Sequence, residues 1–273
     1  SDFQAICRVL KELGYRFGAF VVDAALFVPQ SRPRLFVIAV HNSVTIPLGL
    51  QGRSPEHPWH TSALKRAFEN LPRKFREDWI WWSMPKPRKR TLDFVDLVED
   101  RPDSVEWHSS AETTALLSMM SEVNLAKVET AKAAKKRMVG TIYKRTRWEH
   151  GIKVQRAEIR FDDIAGCLRT PAGGSSRQLI MIVEGKKIRS RLISTRETAR
   201  LMGLSDSYKL PEKYNQAYHL TGDGVAVPVV RHIAKSIFEP IVKCKGNDGD
   251  FTNGRGNTMQ EECCPEGTSF RTS

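Results

Sequence analysis

The chain has 273 residues, with 43 Lys and Arg against 31 Asp and Glu and a formal net charge of +12. That length is enough for one large domain or two modest ones, and the charge points to a polyanionic partner: nucleic acid first, an anionic membrane surface second, a generic basic face as the bland alternative. No run of about 18 apolar residues occurs, so no membrane-spanning helix is expected.

Ser1-Asp2-Phe3-Gln4 lacks the basic start and apolar stretch of a signal peptide. With no initiator Met, a fragment or processed product is expected. The five cysteines, Cys7, Cys167, Cys244, Cys263 and Cys264, are odd in number and scattered. They make a poor disulfide framework, show no zinc spacing, and fit a reducing intracellular compartment such as the bacterial cytoplasm. No metal site is expected.

Phe3, Ile6, Cys7, Leu10 and Leu13 fall at helical spacing, and Gly14 supplies the stop. Phe17 to Val22 reads as a buried strand. After the loop 27–34, the unbroken apolar run Leu35 to Val40 predicts a strand covered on both faces, as in an α/β sheet. From about residue 42 the texture changes to Pro, Trp and charge with weak periodicity, and residues 42–160 read as an irregular insertion. Within it, 111–137 has helical character, and 131–160 is the densest basic stretch, carrying Lys144, Arg145 and Arg147. The histidines His57, His60, His108 and His150 read as surface residues.

A turn-rich loop, Pro171 to Ser176, precedes a strand at Leu179 to Val183. Ser194 with Glu197 three residues later forms a capping box that opens a short helix. Residues 225–239 read as an amphipathic helix with Val225, Val229, Val230, Ile233 and Ile237 on its apolar side. Beyond about 245 the chain is rich in Gly, Asn and Thr, and disorder is expected.

Three constellations could carry chemistry. In Gln30-Ser31-Arg32-Pro33-Arg34, the two arginines are expected on opposite sides of an extended segment, one facing a pocket while the other pairs with structure. A guanidinium fork suits a phosphate or a base carbonyl, although taken alone two solvated loop arginines explain the pattern better. Gly222-Asp223-Gly224-Val225 reads as a tight turn before a helix, holding a polar ligand or simply capping the helix through Asp223. Leu168 to Arg177 offers small residues for close backbone approach to phosphate, with donors from Arg169, Ser175, Ser176 and Arg177; an ordinary flexible loop fits equally well.

The order of these pieces resembles the DNA cytosine-5 methyltransferases. Gln30-Ser31-Arg32-Pro33-Arg34 resembles that family's Gln-x-Arg-x-Arg block. Residues 191–204, RLISTRETARLMGL, resemble its later Glu-x-x-Arg-Leu-Met-Gly block, and 222–228, GDGVAVP, its closing Gly-Asn-x-Val block. The resemblance implies an α/β fold, specifically an incomplete Rossmann-like S-adenosylmethionine-dependent methyltransferase sheet with an inserted target-recognition domain. Its segments would be catalytic strands over 1–41, recognition domain and linking loops over 42–190, a helical return over 191–243, and a disordered tail over 244–273.

It also implies the activity. A flipped cytosine in double-stranded DNA is attacked at C6 by a cysteine thiolate and receives at C5 the methyl group of S-adenosylmethionine. Arg34 would contact the base, with Arg32 and Gln30 in support, and Gly222, Asp223, Gly224 and Val225 would touch the methyl donor. The family usually has Asn where this chain has Asp223. Its Pro-Cys nucleophile is missing: Cys264 precedes Pro265 and no cysteine follows a proline. Arginine cannot replace a thiolate in attack on a ring carbon. The expectation is a C-terminal fragment or subunit, inactive alone, that relies on an N-terminal part for the Cys, the catalytic Glu and most of the cofactor site. The alternatives are a non-catalytic sequence-reading DNA-binding module and an inert remnant.

Overall fold

The computed structural model describes residues 2–170 and 176–247. In chain order the elements are α1 (Asp2–Glu12), β1 (Tyr15–Asp23), β2 (Pro33–His41), β3 (Gln51–Gly52), α2 (Ser62–Glu69), α3 (Arg73–Arg76), β4 (Trp81–Trp82), α4 (Phe94–Leu97), α5 (Ser110–Ser118) and α6 (Glu122–Ala133). They continue with β5 (Met138–Glu149), β6 (Ile152–Arg160), β7 (Leu179–Glu184), β8 (Lys187–Leu192), α7 (Thr195–Leu201), α8 (Tyr214–Asp223), α9 (Val227–Ile233) and α10 (Glu239–Asn247). The class is α/β, and the sheets are small: β1 with β2, β3 with β4, and a four-stranded sheet in the order β6-β5-β7-β8. No helix among the described residues is long and apolar enough to cross a membrane.

The chain divides into two compact units. The first takes residues up to Phe20, Phe36–Pro85 and the helix from Ile233 onward; the second takes Val21–Leu35 and Lys86–His232. The stretch 42–190 that reads as one insertion is therefore divided between them at residue 85.

In the first unit, α1 ends at Gly14, whose φ of +75° is the left-handed conformation that favours glycine. Its inner face sets Cys7 with Phe17, Leu71 and Phe75, while Phe68 and Trp79 pack at the edge. Burial pushes the Cys7 thiol up to about 11, so it behaves as a small apolar group. Gly18 is there for space: a Cβ would sit 1.8 Å from the carbonyl oxygen of Ile80, which runs alongside β1.

β2 corrects one expectation. Leu35 and Val37 are 50% and 37% exposed, and burial along the strand alternates rather than running unbroken. A continuous apolar run marks a strand covered on both faces only when layers exist on both sides. His60 corrects another. It is buried, its Nδ1 accepts from the backbone N–H of Glu56 at 2.8 Å, and Trp81 packs edge-on against its ring. Burial lowers its pKa to about 4.

In the second unit, β7 does follow the two-face rule. Leu179, Met181 and Val183 face α5 and α6 through Leu116, Met120, Val128 and Ala131, and Ile180 and Ile182 are buried as well. The helical stretch 111–137 resolves into two helices, α5 and α6, each opened by a serine.

The capping box at Ser194 and Glu197 is present and opens α7. Glu197 also grips Arg191 through two contacts, 2.6 and 2.8 Å, with both side chains fully buried. The amphipathic helix read over 225–239 starts at Val227, passes through one π turn (Ala234–Phe238), and continues as α10 to Asn247. Val229, Ile233 and Ile237 are buried, whereas Val225 and Val230 lie on the exposed side. Of the tail expected to be disordered over 244–273, residues 244–247 instead belong to α10, and the rest lies outside the described residues.

A stapled motif junction beside a basic cleft

The end of β1 fixes the Gln30–Arg34 segment. Asp23 Oδ1 accepts from the backbone N–H of Arg32 at 2.7 Å and of Ala25 at 3.0 Å. The segment is then tied to the 165–168 loop, where Ser31 N–H donates to Ala165 O and Ala165 N–H to Pro29 O.

Gln30 is fully buried. Its Nε2 donates to Leu201 O at 2.9 Å and its Oε1 accepts from Leu168 N–H at 3.1 Å. Arg32 is 2% exposed. It donates to three backbone carbonyls, each at 2.7 Å: Leu168 through Nη1, and Gly222 and Gly224 through Nη2. A buried guanidinium is stable only when paired or hydrogen-bonded. Here its charge is shared between a loop carbonyl at Leu168 and the partial negative C-terminal end of α8 at Gly222 and Gly224. Burial lowers the pKa of Arg32 from its ordinary value, and nearby Cys167 opposes that shift.

Arg34 is half-buried at the rim. It donates to Pro33 O at 2.9 Å and reaches Cys167 Sγ at 3.5 Å. Arg32 reaches the same sulfur at 3.6 Å. The expectation of opposite sides is therefore wrong: residues i and i+2 of an extended segment share a face. The two arginines differ in depth and partners, not in side.

The Gly222-Asp223-Gly224 segment also departs from its reading. It ends α8 rather than opening a helix, Gly224 is the C-cap, and its N–H donates to Leu220 O at 3.1 Å. Asp223 caps nothing; its exposed carboxylate accepts from the hydroxyl of Thr170. A Cβ at Gly222 would lie 3.0 Å from Thr170 N, so glycine serves close packing there.

Next to this junction opens a cleft of about 900 Å³. It is lined by Lys127, Lys144, Arg145, Arg147, Arg160 and Arg169 together with Tyr143 and Cys167. Tyr143 donates to Cys167 O at 2.6 Å, and burial raises its pKa far above the ordinary phenol value. Arg145 and Arg147 share Glu158. Ser176 also lines the cleft, but its hydroxyl is engaged by the backbone of Lys144. Arg177 turns to Asn215 and the ring of Tyr214 instead. Ser175 lies outside the described residues. No cluster of metal-ligating side chains occurs among the described residues.

A family model for the C-5 cytosine-specific DNA methylases matches residues 1–239. The chain belongs to that family. It is 24% identical over 238 residues to the type II methyltransferase M.HhaI of Haemophilus parahaemolyticus, covering 87% of this chain and 58% of that protein. Over 65 residues it is 37% identical to the type II methyltransferase M1.ScrFI of Lactococcus lactis subsp. cremoris, covering 24% and 17% of the two chains. The crystal structure of S. pombe Dnmt2 methyltransferase aligns at a TM-score of 0.43 and 17% identity, over 88% of this chain and 64% of that one. This cytosine-5 methylase chain thus spans little more than half the length of M.HhaI.

Sequence reasoning missed Lys127, Arg160, Tyr143 and Cys167 at the cleft. Lys127 sits on a helix whose spacing gives no sign of a basic site, and its Nζ donates to Ile159 O at 3.1 Å. Arg160 ends a strand that was not read as one. Cys167 carried no motif at all.

Proposed function

We propose that this chain is the C-terminal part of a DNA cytosine-5 methyltransferase. In this reading it supplies the arginines and the DNA-gripping surface of a base-modifying pocket, and an N-terminal part supplies the nucleophilic cysteine. The observation that carries the proposal is the junction at Arg32. The first block, well over a hundred residues from the other two, meets both there through hydrogen bonds: Gln30 to Leu201 of the second, and Arg32 to Gly222 and Gly224 of the third. A chance set of short matches has no reason to converge on one buried Gln–Arg pair.

Arg34, half-buried at the rim and held, among the described residues, only by Pro33 O and the Cys167 sulfur, is the candidate base contact; Arg32 and Gln30 hold its segment in place. Lys144, Arg145, Arg147 and Arg169, on the cleft, are the candidate phosphate contacts. S-adenosylmethionine would supply the methyl group. The residues present fit one edge of its site: Asp223 and Val225 are exposed, but the carbonyls of Gly222 and Gly224 are taken by Arg32. The rest of that site falls to the N-terminal part.

The first unit supports the same reading. Helix α1 buries Cys7 yet exposes Ile6, Val9 and Leu13 along its outer stripe, and the last helix exposes Phe238 and Val242. Exposed apolar side chains that line up in this way mark a contact surface. β1 and β2 would then be edge strands of a wider methyltransferase sheet, with the covering of Leu35 and Val37 supplied from outside this chain.

The test is complementation. The purified chain, an N-terminal part bearing a Pro-Cys motif, and both together are assayed for transfer of a tritiated methyl group from S-adenosylmethionine to DNA. Transfer is expected only from the mixture. Transfer by this chain alone, or none in any pairing, overturns the proposal. A second reading, a DNA-binding module that acts without catalysis, draws on the cleft alone. Engagement of about four phosphates would give a slope of log K against log salt near −3.6 and a loss of about 100-fold between 50 and 200 mM. Salt-sensitive binding with no complementation would favour that second reading.

A further inference from the structure

The β5–β6 pair extends beyond the sheet that holds it. β7 pairs with β5 only over Met138–Ile142, whereas β6 pairs with it from Thr141 to Glu149. Residues 145–156 therefore project as a two-stranded ribbon, beyond Ala157, which is buried in the core. The two-residue turn His150-Gly151, with φ of 49° and 79°, closes it in the tight geometry whose twist matches the strands. Arg147 with Glu158 and Arg156 with Glu149 brace one face by ion pairs.

The opposite face carries Trp148, 68% exposed, one step from the turn. Its cross-strand partner is Lys153, whose Nζ lies 5.1 Å from the ring centroid. The ring is thus held against its own ribbon on one side and left open on the other. Over residues 144–156 the ribbon carries five Lys and Arg against one Glu. An indole this exposed contributes little to folding. With Lys153 beside it on its own face and the ion-paired Arg145, Arg147 and Arg156 on the other, it matches a partner that offers flat apolar faces between anions. Bases offer such faces between phosphates where an inserted side chain parts a base step, and the major groove of duplex DNA, about 12 Å wide, admits a two-stranded ribbon.

We infer that the β5–β6 ribbon enters double-stranded DNA and that Trp148, which does not line the cleft, stacks on a base as a wedge, a positioning and sequence-sensing contact added to the phosphate contacts of the ribbon's Arg145 and Arg147. This rests on the DNA-acting reading above. Removal of a base–aromatic stack weakens binding by about 5- to 100-fold without changing the number of phosphates neutralised.

The full chain and its W148A, W148F and R169A variants are titrated with end-labelled duplex by fluorescence anisotropy across a salt series, and their Tm values are compared. W148A is expected to bind at least about 5-fold more weakly with an unchanged salt slope and Tm, and W148F to recover most of the loss. R169A is expected to flatten the slope by about 1. Unchanged affinity in W148A, with salt-dependent binding intact in the parent, overturns the wedge and leaves the proposed function standing. Equal loss in W148A and W148F accompanied by a lower Tm assigns Trp148 a structural role and also overturns it. No salt-dependent binding by the parent chain overturns both.

Discussion

Arg32 and Arg34 stand two residues apart in one motif, and their contacts predict opposite outcomes for the same substitution. Replacing Arg32 with Met keeps the length of the side chain and removes its donors. The carbonyls of Leu168, Gly222 and Gly224, each at 2.7 Å, then lose their partner in a buried setting. Hydrogen bonds from a charged donor contribute about 1.5–3 kcal/mol each. Three of them, less the desolvation penalty that the guanidinium no longer incurs, leave a net loss of about 3–5 kcal/mol. That is a large share of the roughly 5–15 kcal/mol that holds a domain together. R32K keeps the charge but not the planar fork, so a smaller loss of about 2 kcal/mol is expected. R34A, at the rim, should cost less than about 0.5 kcal/mol. Urea unfolding followed by tryptophan fluorescence gives the totals. Amide hydrogen exchange at Leu168 and Gly224 shows whether the loosening is centred on the staple. In the complementation assay, R34A should be folded and inactive. An R32M chain as stable as the parent with unchanged exchange at Gly224, or an R34A chain that unfolds as easily as R32M, would refute the division of labour.

Two further predictions concern buried charge. E197A strands the buried Arg191 guanidinium and removes the acceptor of the Ser194 and Glu99 N–H groups, and should cost about 3–5 kcal/mol. The double replacement R191M/E197L should recover most of that loss, as read by Tm, because it removes both charges together. His60 gives a pH signature. Its pKa is lowered in the folded state to about 4, so the unfolded chain binds the proton first as pH falls below about 6.5. The contribution is complete above about pH 6.5 and is lost progressively toward pH 4, up to about 3 kcal/mol. H60Q should flatten the pH dependence of unfolding between pH 6.5 and 5. An unchanged slope in that variant would show that other groups govern it.

How much of this was legible in the residues depended on whether a signal stood clear of charge. α1, β1, β7 and the capped start of α7 were readable because their apolar periods or caps are uninterrupted. The β5–β6 ribbon was not. Its alternation is carried by Thr, Lys, Arg and Gln, since both faces of a projecting ribbon meet water and no apolar stripe is needed. The cue that survives is the Gly151 turn between two runs containing β-branched residues. The sequence Leu35 to Val40 misled for the converse reason: an apolar run reports that a strand can be covered, not that the cover lies in the same chain. His60 was read as a surface residue because its neighbours in sequence are charged, whereas its neighbours in space include Trp81.

The candidate site shows the same limit more sharply. Gln30, Arg32 and Arg34 were readable as a functional segment, but their roles were not, because a carbonyl that takes a guanidinium has no sequence signature. Gly222-Asp223-Gly224 looked like a ligand-holding turn. Its glycines answer instead to a helix end and to the backbone of Thr170, 3.0 Å from where a Cβ would stand. This bears on the departure from Asn to Asp at that position. The Asp223 carboxylate accepts from the hydroxyl of Thr170, a bond that an Asn carbonyl could accept equally well. The local structure therefore does not require Asp. Asp223 also ends α8, where a carboxylate opposes the helix dipole, so D223N is expected to leave the chain as stable as the parent or more stable by less than about 1 kcal/mol, as read by Tm; a lowered Tm would show that the carboxylate itself holds this junction.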